Sequence, residues 1–177
     1  TTARIRGAAG NNSTRIVFSG GQVGNEVATN VMDYITIAST GNATDFGDTT
    51  ETRMNLGGAS SDTRTVFTGG AGTSSSGSRK KTIDYITTAT TGNAIDFGDL
   101  TANMEYTTAN SSANPSQQNE TFFPPAAIGL FSGGVSPGRE SIILYVNITT
   151  DGESGLFGDL LAKTNRVNNG SCGSSTR

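Results

Sequence analysis

Thr-Gly-Asn-Ala-Thr-Asp-Phe-Gly-Asp (Thr40 to Asp48) is written again as Thr-Gly-Asn-Ala-Ile-Asp-Phe-Gly-Asp (Thr91 to Asp99), and its last part returns as Gly-Leu-Phe-Gly-Asp (Gly155 to Asp159). Upstream of each copy stands a shorter phrase: Asp-Tyr-Ile-Thr (Asp33 to Thr36), Asp-Tyr-Ile-Thr (Asp84 to Thr87) and Leu-Tyr-Val-Asn (Leu144 to Asn147). Further upstream come Thr-Arg-Ile-Val-Phe-Ser-Gly-Gly (Thr14 to Gly21), Thr-Arg-Thr-Val-Phe-Thr-Gly-Gly (Thr63 to Gly70) and Gly-Leu-Phe-Ser-Gly-Gly (Gly129 to Gly134). Tyr34 to Tyr85 is 51 residues and Tyr85 to Tyr145 is 60. A period near 50 residues means stacked supersecondary units, not one mixed fold.

Each unit reads as four strands. An apolar strand runs into paired glycines, as strands do on entering a turn. A second strand is centred on Tyr34, Tyr85 or Tyr145. It is apolar on both faces, with Met32 and Tyr34 against Ile35 and Ile37 in the first copy, so it lies buried between sheets. A Thr-Gly or Asp-Gly turn leads to a short edge segment carrying Phe46, Phe97 or Phe157, always 12 residues after the Tyr. The segments Arg4 to Asn12 and Arg53 to Ser61 supply a fourth strand of small residues, suited to the crowded axis of a radial array. The expected fold class is all-β, with three four-stranded β-propeller blades. Their core residues are Phe18, Tyr34, Phe46, Phe67, Tyr85, Phe97, Phe131, Tyr145 and Phe157.

The expected divisions are 1–48 for the first blade, 49–99 for the second, 100–126 for a connection with an insertion, and 127–160 for the rest of the third. Residues 161–177 read as the opening strand of a fourth blade, because Ser-Ser-Thr-Arg (Ser174 to Arg177) repeats the prelude to Ile16 and to Thr65. A spare strand of that kind seeks the edge of another sheet.

Composition narrows the chemistry. The 177 residues suit one domain, with 24 glycines and charged residues at 15%. The net charge of −3 gives no basic face for nucleic acid. Arg79-Lys80-Lys81 is the one basic run, and it reads as a solvated loop tip. No stretch approaches the roughly 20 apolar residues of a membrane helix, so no membrane insertion is expected. There is no His and no Trp, which removes Ser-His-Asp and Cys-His catalysis and His-ligated metals. The lone Cys172 makes no internal disulfide and reads as an inert small residue. No cofactor and no metal are expected.

The order of small-residue strand, apolar strand ending in Gly-Gly, central-Tyr strand and aromatic edge strand resembles the kelch repeat. Phe46, Phe97 and Phe157 stand where kelch usually has Trp, which makes the likeness a divergent one. The wording Asp-Tyr-Ile-Thr-x-Ala-(Ser/Thr)-Thr-Gly-Asn-Ala-x-Asp-Phe-Gly-Asp is similar to repeats in structural proteins of marine tailed phages, especially cyanophages. It covers most of residues 14–100 and fades in 101–177. The resemblance implies a virion or extracellular location and a tail-fibre or appendage role. The implied partners are other copies of the chain or further blades, and a host-surface glycan or protein.

Differences between copies carry a further expectation. Arg15 and Arg64 precede the strand Phe by three positions, where the third copy has Ile128; Asp33 and Asp84 precede the Tyr, where it has Leu144. Charge is kept together or lost together, so Arg15–Asp33 and Arg64–Asp84 are expected as cross-strand ion pairs, replaced by an Ile128–Leu144 contact.

The remaining motifs read as structure. The Asp-Phe-Gly triplets match a kinase signature, but the strand Lys and His-Arg-Asp loop are missing and the triplet repeats. Here Phe plugs between blades, Gly permits a turn and Asp caps its amides. The paired glycines lack the helix and Lys of a phosphate loop. Asp45, Asp48, Asp96, Asp99 and Asp159 recur with the repeat, whereas a glycosidase pair should break it. No enzyme activity is expected. The one irregularity is an insertion within Thr107 to Pro125, where Asn119, Phe122 and Phe123 are the candidate binding residues for a partner chain or glycan. Asn-x-Ser/Thr sequons stand at Asn11, Asn12, Asn42, Asn110, Asn119, Asn147 and Asn169. The expected function is a structural or adhesive phage module, with an extracellular filament subunit or kelch-like interaction scaffold as the alternative.

Overall fold

The computed structural model describes residues 3–111, 128–136, 138–139 and 141–160. The first unit holds β1 (Ala8–Asn11), β2 (Arg15–Ser19), β3 (Gln22–Val23), β4 (Val27–Thr36) and β5 (Thr44–Arg53). The second holds β6 (Gly57–Ser60), β7 (Arg64–Thr68), β8 (Lys80–Thr87) and β9 (Ile95–Met104). The third holds β10 (Thr108–Ser111), β11 (Ile128–Ser132), a ribbon of β12 (Val135–Ser136) and β13 (Gly138–Arg139), then β14 (Ile142–Asn147) and β15 (Gly155–Asp159). The all-β reading holds: the strands form three antiparallel sheets ordered β1-β2-β4-β5, β6-β7-β8-β9 and β10-β11-β14-β15, with β3 added to the free end of β4. No α-helix occurs among the described residues.

The paired glycines are the corners of each unit. All six have left-handed φ: 60° and 106° at Gly20-Gly21, 59° and 97° at Gly69-Gly70, 65° and 98° at Gly133-Gly134. Only glycine takes consecutive positive φ at little cost. The corner is also pressed against the end of its own unit's last strand. A Cβ on Gly69 would lie 2.5 Å from the Met104 carbonyl, and Gly70 N–H donates to that same oxygen at 2.8 Å.

Each sheet hands its last strand to the first strand of the next. On the way the chain makes a single bridge onto the corner of the unit it enters: Ile5 with Gln22, Met54 with Ala71, Glu105 with Val135. The residue after each bridge is left-handed although not glycine: Arg6 at 61°, Asn55 at 60°, Tyr106 at 58°. Main-chain hydrogen bonds tie these three in series, from Asn55 N–H to the Arg6 carbonyl at 2.7 Å and from Tyr106 N–H to the Asn55 carbonyl at 2.9 Å. The first strands lie side by side behind them. Asn11 N–H donates to Ser60 Oγ at 2.9 Å, and a Cβ on Gly58 would sit 2.7 Å from the Ala9 carbonyl. That crowding is why β1 and β6 are built of Ala, Gly, Asn and Ser.

The core is divided into layers between neighbouring sheets. Val17, Met32 and Phe46 of the first sheet pack on Phe67 and Ile86 of the second. Val66, Ile83, Phe97 and Leu100 of the second pack on Phe131, Leu144, Val146 and Ile148 of the third. Strand β8 is thus apolar on both faces because each meets a different neighbour. Strand β10 opens the third unit from within the stretch 100–126. Two expectations need correction. The strands carrying Phe46 and Phe97 are not short edges but run on to Arg53 and Met104, because their far halves build the next joint. Phe18 and Phe157 are not core: Phe18 is 38% exposed where Phe67 is 0%, and Phe157 is exposed too, since each faces away from the other two units.

Gly69→Ala should lower stability by more than about 2 kcal/mol, combining the left-handed backbone with the collision. Gly77→Ala, with nothing within 4 Å of its Cβ, should leave the urea midpoint nearly unchanged.

Candidate functional site

The residues that recur most closely converge on the joints between units. At the first joint Gly92 N–H donates to the Phe46 carbonyl at 2.8 Å, Ala94 N–H to the Asp48 carbonyl at 2.8 Å, and Asp48 N–H to Asn93 Oδ1 at 3.0 Å. The Asp-Phe-Gly-Asp phrase of one unit is therefore held by the Thr-Gly-Asn-Ala turn of the next. The second joint repeats this with Gly152 N–H on the Phe97 carbonyl and Ser154 N–H on the Asp99 carbonyl, both at 2.9 Å. A β-bulge between Met32 and Asp33 lets Phe46 point into the layer between sheets. Gly47 follows at φ 139° and its counterpart Gly98 at 145°. A Cβ on Gly98 would lie 2.5 Å from the Gly152 carbonyl, so glycine is needed for close approach. The expected plug is confirmed, but Gly47 and Gly98 lie within strands, not turns. The aspartate contributes its main chain to the clasp, while the Asp99 carboxylate bonds Lys81 at 2.6 Å.

Behind each plug the rings stack in order. Tyr34 meets Phe46 edge-on with centroids 5.9 Å apart, and Tyr85 meets Phe97 likewise at 5.9 Å. Arg15 lies 4.5 Å over Tyr34, and Arg64 lies 4.3 Å over Tyr85. Both guanidinium groups reach onward to the next unit, Arg15 to the Ala89 carbonyl and Arg64 to Asp151 Oδ1, each at 2.8 Å.

Those contacts overturn the expected Arg15–Asp33 and Arg64–Asp84 pairs. Arg15 is in register with Thr36 and Phe18 with Asp33. Arg15 and Asp33 therefore project from opposite faces of one sheet, as do Ile128 and Leu144 in the third unit. The partners of the aspartates come from the strand that enters the unit. Arg4 pairs with Asp33 at 2.8 Å, and Arg53 pairs with Asp84, both fully buried. Arg53 also donates to the Gly69 and Thr82 carbonyls at 2.9 Å, and Asp84 accepts from the Thr50 hydroxyl at 2.7 Å. Arg53 Nε has no partner. Burial pushes the Asp84 carboxyl up, against the pull of Arg53 and Thr50, and it sits above its ordinary value. Glu51 extends the set, bonding Lys80 at 2.7 Å and Thr82 at 2.6 Å. Burial pushes Glu51 up, but Lys80, Thr82 and Arg53 outweigh it and hold the carboxyl below its usual value.

At the second joint the same places are apolar. Strands β5 and β9 align end to end, so Met104 stands where Arg53 stands, Ala102 where Glu51 stands, and Leu144 where Asp84 stands. Met104 and Leu144 share one buried cluster. The joint loss of charge was thus a true signal with the wrong cation assigned. Counting strand parity would have excluded Arg15, and aligning Arg53 with Met104 would have found the partner.

The other candidates fall elsewhere. Asn119, Phe122 and Phe123 lie outside the described residues. One cleft of about 290 Å³ is lined by Arg6, Asn55 and Tyr106 beside the hydrogen bonds that tie them in series. Another, of about 320 Å³, lies between Phe46 and the Thr90–Asn93 turn. Among the described residues no three carboxylate, Cys or His side chains gather as metal ligands would.

Arg53→Met alone and Asp84→Leu alone should each cost about 3–5 kcal/mol by stranding a buried charge, whereas the double variant should return to within about 1 kcal/mol of the parent or exceed it. Denaturant unfolding of the four proteins of this cycle measures it. A double variant as unstable as the sum of the singles would mean that the joint needs its ions.

No protein-family model and no curated protein matches this chain.

Proposed function

We propose that the chain is a non-enzymatic structural or adhesive module of a phage particle, such as a tail fibre or appendage, with its units standing as propeller blades around a common axis. One observation carries the reading: the words repeated from unit to unit are spent on joining units. The Gly-Gly corners, the Asp-Phe-Gly-Asp plugs and the turns at Gly92 and Gly152 that receive them all make inter-unit contacts. The repeated acidic residues Asp33, Asp84 and Asp99 are engaged by Arg4, Arg53 and Lys81.

The blade arrangement is supported by the passage from the last strand of each sheet to the first strand of the next, and by adjacency of the small-residue first strands. The series of bonds through Arg6, Asn55 and Tyr106 fits a turn about one axis. A propeller needs roughly four to eight blades, so further units or further copies complete it. A rigid ring with variable loops suits recognition of a host-surface glycan or protein. The virion assignment comes from the likeness of the repeat wording to marine phage structural proteins. The alternative, a subunit of an extracellular filament, is favoured by exposed apolar residues at both ends of the three-unit stack, Phe18 and Ile37 at one and Leu156 at the other.

Immunogold labelling of purified virions, together with class averages of the purified protein, tests both parts. Gold on tails or appendages and rotationally symmetric averages are expected. Unlabelled virions would overturn the particle assignment, and averages without an axis would overturn the blades.

A further inference from the structure

The two inner joints define what each face of a unit is built to meet. One face of the second unit presents Phe67, Ile86 and Thr88, and the same face of the third presents Phe131, Val146 and Ile148. All six are buried, with Phe67 and Ile86 packed on the first unit and the third unit's three on the second. In the first unit these places hold Phe18, Ile35 and Ile37, and Ile37 is 50% exposed. The opposite face behaves in the same way. Phe46 and Phe97 of the first two units are 2% and 4% exposed under a turn, while Phe157 of the third is 47% exposed. A Cβ on Gly98 would strike the next turn, but one on Gly158 would meet nothing within 4 Å.

We propose that the β15 edge of one copy docks onto the Phe18–Ile37 face of a second copy, making in trans the joint that the chain makes twice in cis. This rests on the structural-module reading and names its partner. By correspondence with the first joint, Ala43 N–H would donate to the Asp159 carbonyl, and Asp159 N–H to Asn42 Oδ1. The chemistry across the joint is consistent. Leu156 replaces Asp45 and Asp96, and Ile128 replaces the onward-reaching Arg15 and Arg64, so the donating side has become apolar. On the receiving side Asp33 is already neutralised by Arg4 at 2.8 Å, so docking buries no unpaired charge. The two faces differ, so the contact is heterologous and runs head to tail into a ring or a filament.

Two variants test it, each at a residue whose side chain is exposed or absent in the single copy. Gly158→Val blocks the donating face and Ile37→Lys blocks the receiving face. Circular dichroism and thermal midpoints matching the parent establish that both fold. In sedimentation velocity up to about 100 µM, where weak interfaces populate, the parent should form dimers and larger species. Each variant alone should stay monomeric. A mixture of the two should stop at the heterodimer, because Ile37→Lys keeps a sound donating face and Gly158→Val a sound receiving one. A monomeric parent overturns the proposal, as does a variant that associates like the parent. Association by another face would leave the structural-module reading standing while removing this interface.

Discussion

A four-stranded sheet with apolar side chains on both faces has no interior of its own. Its strands satisfy their main-chain groups with one another, but its side chains can leave water only against a second sheet. Everything else follows from this constraint. The plug Phe46 is buried because the second sheet supplies Phe67 and Ile86, and Phe97 is buried because the third supplies Phe131 and Val146. The same residue types at the outward faces, Phe18 and Phe157, remain exposed. Stability in such a chain is approximately a sum of unit terms and nearest-neighbour terms, and both buried apolar clusters span neighbouring units.

The two inner joints reach similar closeness by different chemistry. The first buries a cation, an anion and the hydroxyls and carbonyls that solvate them, leaving Arg53 Nε without a partner. The second fills the same volume with Met104 and Leu144. Taking an ion pair out of water is expensive and is offset only by close geometry and added hydrogen bonds. What the ionic version adds is discrimination. A sheet offering Arg53 matches a neighbour offering Asp84 and is penalised against one offering Leu144.

The repeat, the all-β class, the glycine corners and the buried plugs were legible in the sequence, because each depends on local wording copied between units. Partner assignment across the sheet was not. Arg15 and Asp33 sit close in the chain pattern, yet strand parity places them on opposite faces, and Asp33 turns to Arg4 instead. The left-handed Arg6, Asn55 and Tyr106 carry no shared residue type. Their conformation is imposed by main-chain bonding to neighbours, and side-chain spelling does not record it.

The clasp at each joint is made largely by peptide groups. The turn that receives the plug reads Thr-Gly-Asn-Ala in the second unit and Asp-Gly-Glu-Ser in the third, yet Gly152 and Ser154 offer the same two N–H groups as Gly92 and Ala94. A fastening of this kind is indifferent to most side chains, provided that glycine remains where backbones touch. Copies of the unit can therefore drift apart in surface chemistry while staying mechanically interchangeable, which leaves the outward residues free to vary without loosening the joints.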